Sequence, residues 1–348
     1  MTVGPDDRAD GARAEPLPVW RLLDLGTAEP ERAQAFAEAV APSVGSGAVP
    51  NTLILVRPSA PYISLGFHQS FAEELEPTFL HAHPIPVIRR VEGGGTTYLD
   101  TDQLFYQLIY REEGGGPGGG ADLARYLVAP ARAARALGVE ATLRPPSDLV
   151  VGERKISGNA GGDWEGAHLV VGGYLGRSDT AVMAELLRLP SPALRPLLRR
   201  EVDRWITSLE RETGASPDWN VLSAALVDAF RSEGLFDARP GMPTEEEERR
   251  FREETVPRHR DPAWREIPPI PPPPGAPLRR LRVAGPHGLL VFGDEERGAL
   301  AVAAVDGVEV REGYLLRRDA GEPPHRLPND APALAQLRRS VARAGGID

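Results

Sequence analysis

Residues 89–100 read RRVEGGGTTYLD, three consecutive glycines between two segments with strand-like composition. Because glycine has no Cβ atom, successive backbone N–H groups can face one concavity and an anion or acyl chain can approach closely. Arg89 and Arg90 add fixed donors beside it. The stretch predicts a ligand-binding turn, with a plain hairpin as the structural alternative. It is not a dinucleotide fingerprint, since no helix opens directly after the glycines.

A second stretch, residues 147–160, reads SDLVVGERKISGNA and contains the only lysine of the chain, Lys155. Of the 40 basic residues, 39 are arginine. A general bias toward arginine could leave one lysine by chance. The alternative is that position 155 needs a compact ammonium on a flexible stem, which a planar guanidinium cannot replace. The sequence places this lysine between strand-like residues and a turn containing Gly158 and Asn159.

Periodicity and turn residues indicate the coarse organisation of the chain. Helices are predicted at 29–41, with an end at Pro42, and at 71–80, 122–137, 182–187 and 221–232. Strands are predicted at 52–57, 62–65, 86–90, 96–99, 104–110, 149–151 and 169–174. Strands and helices alternate without a regular βαβ repeat. This pattern favours an α+β fold with a mixed or antiparallel central sheet flanked by helices.

Composition shifts divide the chain into four parts. Residues 1–16 are predicted to be a disordered tail, 17–266 a catalytic domain and 267–277 a proline-rich linker. Residues 278–348 are predicted to form a small accessory α+β domain that closes with a helix at 331–344.

Overall composition narrows the function classes. The 348 residues carry a formal charge of −10, which argues against nucleic-acid binding because phosphate neutralisation needs clustered cations. No apolar stretch reaches the roughly 20 residues of a membrane helix, and the acidic N-terminus lacks the apolar core of a secretion signal. We therefore expect a cytoplasmic protein without membrane attachment. The absence of cysteine excludes disulfides, thiolate metal sites and a cysteine nucleophile.

These two stretches, with SLGFHQ at 64–69, resemble motifs of the lipoate-protein ligase family of the biotin/lipoate ligase superfamily. The family pattern has Gly-x-x-Gln, then Arg-Arg-x-Ser-Gly-Gly-Gly, then Asn-Asp and Gly-x-Lys-Ile/Val-Ser-Gly-x-Ala. The three motifs occur here in the same order, and the resemblance covers about residues 50–210. Three motifs in order are far more specific than any one of them.

The resemblance implies adenylation of lipoate or octanoate with ATP and Mg²⁺, followed by acyl transfer to a lysine of a lipoyl carrier domain. The carriers implied are 2-oxoacid dehydrogenase acyltransferase subunits or the glycine cleavage carrier protein. By similarity, Lys155 bridges the acyl carbonyl and the AMP phosphate, and Asp148 positions magnesium or the incoming amine. Further acyl-adenylate contacts are implied at Gly66, His68, Arg89, Arg90, Gly93, Gly94, Gly95, Thr96, Ser157, Gly158, Asn159 and Ala160.

The chain departs from the family pattern at several positions. Glu92 replaces the serine before the glycines and opposes anion binding unless it pairs with an arginine. Leu99 and Val171 stand where the family has histidine, and Ser147 where it has asparagine. These changes leave open a different acyl substrate, or a non-catalytic module that binds an acyl group or carrier protein. An octanoyltransferase is less favoured because such enzymes use a cysteine thioester, and a biotin ligase because its Gly-Arg-Gly loop is absent.

Overall fold

The predicted α+β class with a mixed sheet is confirmed by the computed structural model, which describes residues 16–111, 120–145, 147–188, 195–267, 289–294, 299–306, 309–317 and 325–326. The strands are β1 (Val19–Ala28), β2 (Thr52–Pro58), β3 (Tyr62–Leu65), β4 (Val87–Arg89), β5 (Thr97–Leu99), β6 (Gln103–Tyr110), β7 (Ala141–Arg144), β8 (Asp148–Val151), β9 (Arg154–Trp164), β10 (Ala167–Leu175), β11 (Asp237–Pro240), β12 (Leu289–Asp294), β13 (Ala299–Asp306), β14 (Glu309–Arg317) and β15 (His325–Arg326).

The helices are α1 (Pro30–Gly45), α2 (Phe71–Glu74), α3 (Pro77–Ala82), α4 (Gly120–Ala136), α5 (Thr180–Leu186), α6 (Arg195–Trp205), α7 (Leu209–Thr213), α8 (Trp219–Ser232), α9 (Glu245–Arg250), α10 (Val256–Arg260) and α11 (Pro262–Arg265). A π-helical turn, Phe251–Thr255, joins α9 to α10.

The central sheet has eight strands in the order β11-β1-β2-β6-β10-β9-β8-β7. The pairs of β1 with β11 and β2 are parallel, and the remaining pairs are antiparallel. Helices cover both faces at β6, which explains why QLFYQLIY is buried along its whole length. Tyr106 and Leu108 face the core formed with α4 and α8, whereas Phe105 and Ile109 face the core formed with α1. A second sheet, in the order β4-β3-β5, carries the triple glycine between β4 and β5.

Three local predictions were wrong. The segment predicted as one helix at 71–80 forms the separate helices α2 and α3, because Pro77 begins the second helix and cannot donate a backbone hydrogen bond to the first. The first helix continues past Pro42, whose carbonyl accepts the N–H of Ser46. Gly158 and Asn159 lie inside strand β9 rather than in a turn, and the hairpin between β8 and β9 turns instead at Gly152, where φ is +58°.

Beyond the main domain, β12 to β15 form a four-stranded antiparallel sheet. The strands of this sheet lie within residues 278–348, the range predicted to form the accessory domain. The helix predicted at 331–344, most of the tail at 1–16 and the linker after residue 267 lie outside the described residues, so these domain limits stay predictions. In the described part of the chain, no helix is both long and apolar enough to cross a membrane.

Candidate active site

A cavity of about 440 Å³ is lined by residues from both the central sheet and the three-stranded sheet. Its volume lies within the range of small-molecule sites. Strands β6, β9 and β10 supply one wall, the triple-glycine segment and β5 supply another, and α5 and α6 contribute apolar side chains. The two stretches singled out from the sequence meet here, since Gly94, Gly95, Thr96 and Lys155 all line the cavity.

Lys155 reaches the cavity from the β8–β9 hairpin. Its Nζ lies 2.7 Å from Asp148 Oδ1, and its side chain is 34% exposed. Asp148 pairs in register with Gly158, so the lysine side chain crosses Gly158 to reach the carboxylate. A Cβ atom at position 158 would lie 2.8 Å from Lys155 Cε and 2.9 Å from Nζ. A side chain at position 158 would therefore displace the end of the Lys155 side chain, because the ammonium lies in the space that the Cβ atom would take.

Asp148 holds two cations at once. Its Oδ1 accepts from Lys155, and its Oδ2 lies 3.1 Å from Arg144 Nη2. Among the described residues, no group of three or more His, Asp or Glu side chains is placed to hold a metal ion. A carboxylate with both oxygens engaged by cations does not fit a metal ligand unless one of them moves away. The magnesium role stays a prediction, and the geometry instead favours a positioning role toward Lys155.

Arg90 shapes the triple-glycine loop. Its five N–H groups make five hydrogen bonds, to Gly93 O twice, Gly95 O, Ser64 O and Ser64 Oγ. Burial lowers the pKa of Arg90 below its ordinary value, an effect that the nearby Glu92 and Tyr62 oppose. Because all five donors are occupied by the protein, Arg90 can act on a ligand through its charge and through the loop conformation that it fixes.

Of the three glycines in the loop, Gly94 is the one that the protein's own backbone and packing restrict. Gly94 has φ +91°, and a Cβ there would lie 2.9 Å from Arg90 Nη2. Gly66 is also restricted, since its Cβ would lie 2.0 Å from Gly94 O. A Cβ at Gly93 or Gly95 would instead meet no atom within 4 Å. The packing of the protein itself therefore restricts positions 94 and 66 to glycine. The close approach of a ligand to the loop stays a prediction.

The loop offers free backbone donors to the cavity. Within the described residues, the N–H groups of Gly94, Gly95 and Thr96 have no protein acceptor. Gly94 and Gly95 are exposed, and all three residues line the cavity. Unpaired N–H groups in succession suit phosphate or carboxylate oxygens. The loop and Lys155 line the same cavity, and both supply groups that can donate hydrogen bonds to an anionic oxygen.

Arg89 lies behind the site and does not line the cavity. Its side chain is fully buried, and its guanidinium donates to five backbone carbonyls, those of Gly66, Phe67, Gln69, Trp264 and Arg265. The indole N–H of Trp264 in turn donates to Arg89 O. The structure thus gives Arg89 a role in joining α11 to the loop after β3, in place of the ligand contact that the motif implied.

Some of the remaining predicted site residues line the cavity, and others do not. Gly158, Asn159 and Ala160 line it, whereas His68 is exposed and Ser157 is buried behind it with its Oγ 3.3 Å from the Tyr106 hydroxyl. Asn159 accepts from the same tyrosine and donates to Ser147 O at 2.7 Å. Asn159 therefore ties β9 to the segment before Asp148.

Glu92 does not line the cavity, contrary to the expectation that it lies beside the anion site. Its side chain is 2% exposed, lines no part of the cavity, and has no partner for Oε2 among the described residues. Burial, reinforced by the negative charge of Glu38, raises the pKa of Glu92 to about 7, although Arg90 acts in the opposite direction. Near neutral pH this group therefore carries a proton for part of the time and opposes an anionic ligand less than expected.

Sequence reasoning missed several residues of the cavity. Arg144 lines it, and so do Met183, Val202 and Trp205 from α5 and α6. Arg144 ends an edge strand that was not predicted from the sequence, and the apolar face of a short helix carries no motif that marks it as functional. The substituted positions Leu99 and Val171 also line the cavity, so both changes add apolar surface to it.

Comparison with known proteins identifies the family. The model of the lipoyl protein ligase A/B catalytic domain matches residues 29–231. The chain belongs to this family. Its members include both lipoate-protein ligases and octanoyltransferases, which are enzymes of protein lipoylation.

Relatives of both kinds are similar to this ligase A/B family member. Octanoyltransferase LipM of Symbiobacterium thermophilum is 31% identical over 256 residues, which cover 66% of this chain and 92% of the relative. Lipoate–protein ligase 1 of Staphylococcus aureus is 37% identical over 100 residues, 29% of this chain and 30% of the relative. An archaeal bipartite lipoate protein ligase from Thermoplasma acidophilum shares the fold, with a TM-score of 0.64 and 23% identity over 72% of this chain and 96% of that chain.

Proposed function

We propose that the protein is an ATP-dependent lipoate- or octanoate-protein ligase, which adenylates a medium-chain acid and transfers the acyl group to a lysine of a lipoyl carrier domain. The observation that carries the proposal is the position of Lys155. The only lysine of the chain lies in the cavity together with the free N–H groups of Gly94, Gly95 and Thr96. An ammonium and oriented backbone donors are the groups that an acyl phosphate requires.

In the first step, a carboxylate oxygen of the acid attacks the α-phosphorus of ATP. The bond from that phosphorus to the oxygen bridging to the β-phosphate breaks, and the electron pair leaves with pyrophosphate. Lys155 donates to the acyl and α-phosphate oxygens, and the loop N–H groups stabilise the charge that develops there. Magnesium bound with ATP would neutralise part of the phosphate charge. In the second step, the neutral amine of the carrier lysine attacks the acyl carbon. The bond from that carbon to the AMP phosphate oxygen breaks, AMP leaves with the electron pair, and the proton lost by the amine passes to solvent water.

Asp148 supports this chemistry through Lys155. A salt bridge at 2.7 Å fixes the ammonium above Gly158, so little rearrangement is needed when substrates bind. Apolar residues of α5 and α6, such as Met183 and Val202, offer a surface for the alkyl chain. The cavity thus combines a charged region for the reacting atoms with an apolar region for the acid.

Octanoyl transfer from acyl carrier protein is the second candidate, because a relative matched over 92% of its length is named an octanoyltransferase. Transfer through a cysteine thioester needs a thiol nucleophile. The chain contains no cysteine, so this route would need a different nucleophile. A non-catalytic acyl-binding or carrier-binding module is the third reading, since the same cavity could hold an acid without activating it.

The test supplies lipoate or octanoate with MgATP and measures pyrophosphate release, followed by the mass shift of a lipoyl carrier domain. A parallel reaction replaces acid and ATP with octanoyl-acyl carrier protein. If the protein is a ligase, pyrophosphate is released and the carrier is modified only in the first reaction. Modification only in the second would establish the transferase. Thermal stabilisation by the acid without either reaction would establish the binding module.

Lys155→Arg tests the assignment of the lysine. The longer, planar guanidinium cannot occupy the space above Gly158 in the same way, and we expect acyl transfer to be lost while the circular dichroism spectrum is unchanged. Arg154→Gln is the matched control because Arg154 pairs with Glu212 and is not among the residues lining the cavity. Wild-type turnover by Lys155→Arg would refute the role proposed for Lys155.

A further inference from the structure

We propose that Arg144 binds the β- and γ-phosphates of ATP and stabilises the departing pyrophosphate. This inference rests on the proposed ligase function and assigns a residue that no motif of the sequence indicates. Arg144 is the last residue of β7, at the edge of the central sheet, and its side chain lines the cavity. Arg144 and Lys155 lie close together in the cavity, because both side chains contact the carboxylate of Asp148.

The cations of the cavity support this assignment by elimination. Among the described lining residues, the cationic side chains are Arg90, Arg144 and Lys155. All five N–H groups of Arg90 are bonded to Ser64 and to loop carbonyls. Lys155 is assigned to the acyl and α-phosphate oxygens. The β- and γ-phosphates carry most of the negative charge of ATP, and Arg144 is the lining cation left to bind them.

Arg144 has donors available for this role. Its Nη1 donates to Glu153 O and its Nη2 to Asp148 Oδ2, each at 3.1 Å. In the described part of the chain, these bonds engage two of the five guanidinium N–H groups. The side chain is 21% exposed, so solvent-borne phosphate can reach it. A guanidinium suits phosphate oxygens because it can donate two parallel hydrogen bonds.

The shared carboxylate sets the spacing of the two cations. Lys155 Nζ lies 2.7 Å from Asp148 Oδ1, and Arg144 Nη2 lies 3.1 Å from Oδ2. Asp148 therefore holds the two cations close together, one on each oxygen. Adjacent cations suit successive phosphates of one chain, with the ammonium at the α-phosphate and the guanidinium beyond the bond that breaks. Charge that develops on the leaving group would be stabilised there by Arg144.

The test separates adenylation from transfer. In the full-length protein, Arg144→Gln is compared with the wild type and with the control Arg154→Gln in two reactions. The first starts from lipoate and MgATP and measures pyrophosphate release. The second starts from chemically prepared lipoyl-adenylate and measures carrier modification. We expect Arg144→Gln to lower kcat/KM for ATP by about tenfold or more, the size of a lost charge-assisted hydrogen bond. Transfer from the adenylate should stay within about twofold of wild type.

Each outcome decides the proposal. An unchanged kcat/KM for ATP would overturn it. Equal losses in both reactions would also overturn it, because Arg144 would then act through Asp148 and Lys155 rather than on the leaving group. Failure of the wild type to release pyrophosphate with either acid would overturn the ligase function and this inference together. Wild-type activity with an unaffected Arg144→Gln would overturn this inference alone.

Discussion

Replacing Glu92 by glutamine should change how stability depends on pH. The Glu92 side chain is 2% exposed, and its Oε2 has no partner among the described residues. Burial raises the pKa of this carboxyl from an ordinary 4.5 to about 7, and the negative charge of Glu38 adds to the effect. Glutamine resembles the protonated acid in shape and stays neutral at every pH, so it retains the favourable form and removes the titration.

The magnitude follows from the two pKa values. Between pH 4.5 and about 7 the folded state binds more protons at Glu92 than the unfolded state does. The free energy of unfolding therefore falls as the pH rises through this window and levels off above pH 7. At about 1.4 kcal/mol per unit, the shift corresponds to a loss of about 3 kcal/mol. Glu92→Gln should match the wild type near pH 4.5 and be more stable by about 3 kcal/mol at pH 8.

Urea unfolding followed by tryptophan fluorescence at intervals from pH 4.5 to 8 measures this difference. Only the difference between variant and wild type is interpreted, because groups that do not interact with Glu92 titrate identically in both proteins. Glu140→Gln, at an exposed glutamate, controls for the chemical change itself. A difference that stays constant across the pH range, or a variant that loses stability at pH 8, would refute the reasoning.

Three further predictions, made with four substitutions, test the local geometry. Gly158→Ala should displace the Lys155 ammonium, which lies 2.9 Å from the new Cβ, and lower pyrophosphate release by about tenfold or more; wild-type release would show that the ammonium position is not critical. Gly94→Ala should cost about 1–3 kcal/mol in urea unfolding because φ is +91°, whereas Gly93→Ala should stay near wild type; equal effects would contradict this. Arg89→Lys offers fewer donors to five backbone carbonyls and should cost about 2–4 kcal/mol; a loss below about 1 kcal/mol would contradict the structural role.

The fold class and the meeting of the two motifs could be predicted from the sequence. Apolar runs such as β6 mark buried strands, and a solitary lysine in an arginine-rich chain marks a position with a special requirement. The distinction between Arg89 and Arg90 could not be predicted. Neighbouring residues of a strand point to opposite faces, and only the packing of α11 shows which guanidinium is fully enclosed. Arg144 was missed for the same reason, since its role depends on a cross-strand contact with Asp148.

The positions at which the chain departs from the family pattern lie in two different places, behind the loop and in the cavity wall. Glu92 lies behind the loop, where its carbonyl accepts the N–H of Phe67 at 3.0 Å, and it belongs to the packing that supports the site. Leu99 and Val171 line the cavity and replace polar groups by apolar ones. The ammonium of Lys155 and the carboxylate of Asp148 remain, paired at 2.7 Å. On the proposed function, the reacting atoms would keep their environment while the surface offered to the acid becomes more apolar, so the substitutions should alter which acid is accepted rather than the adenylation itself.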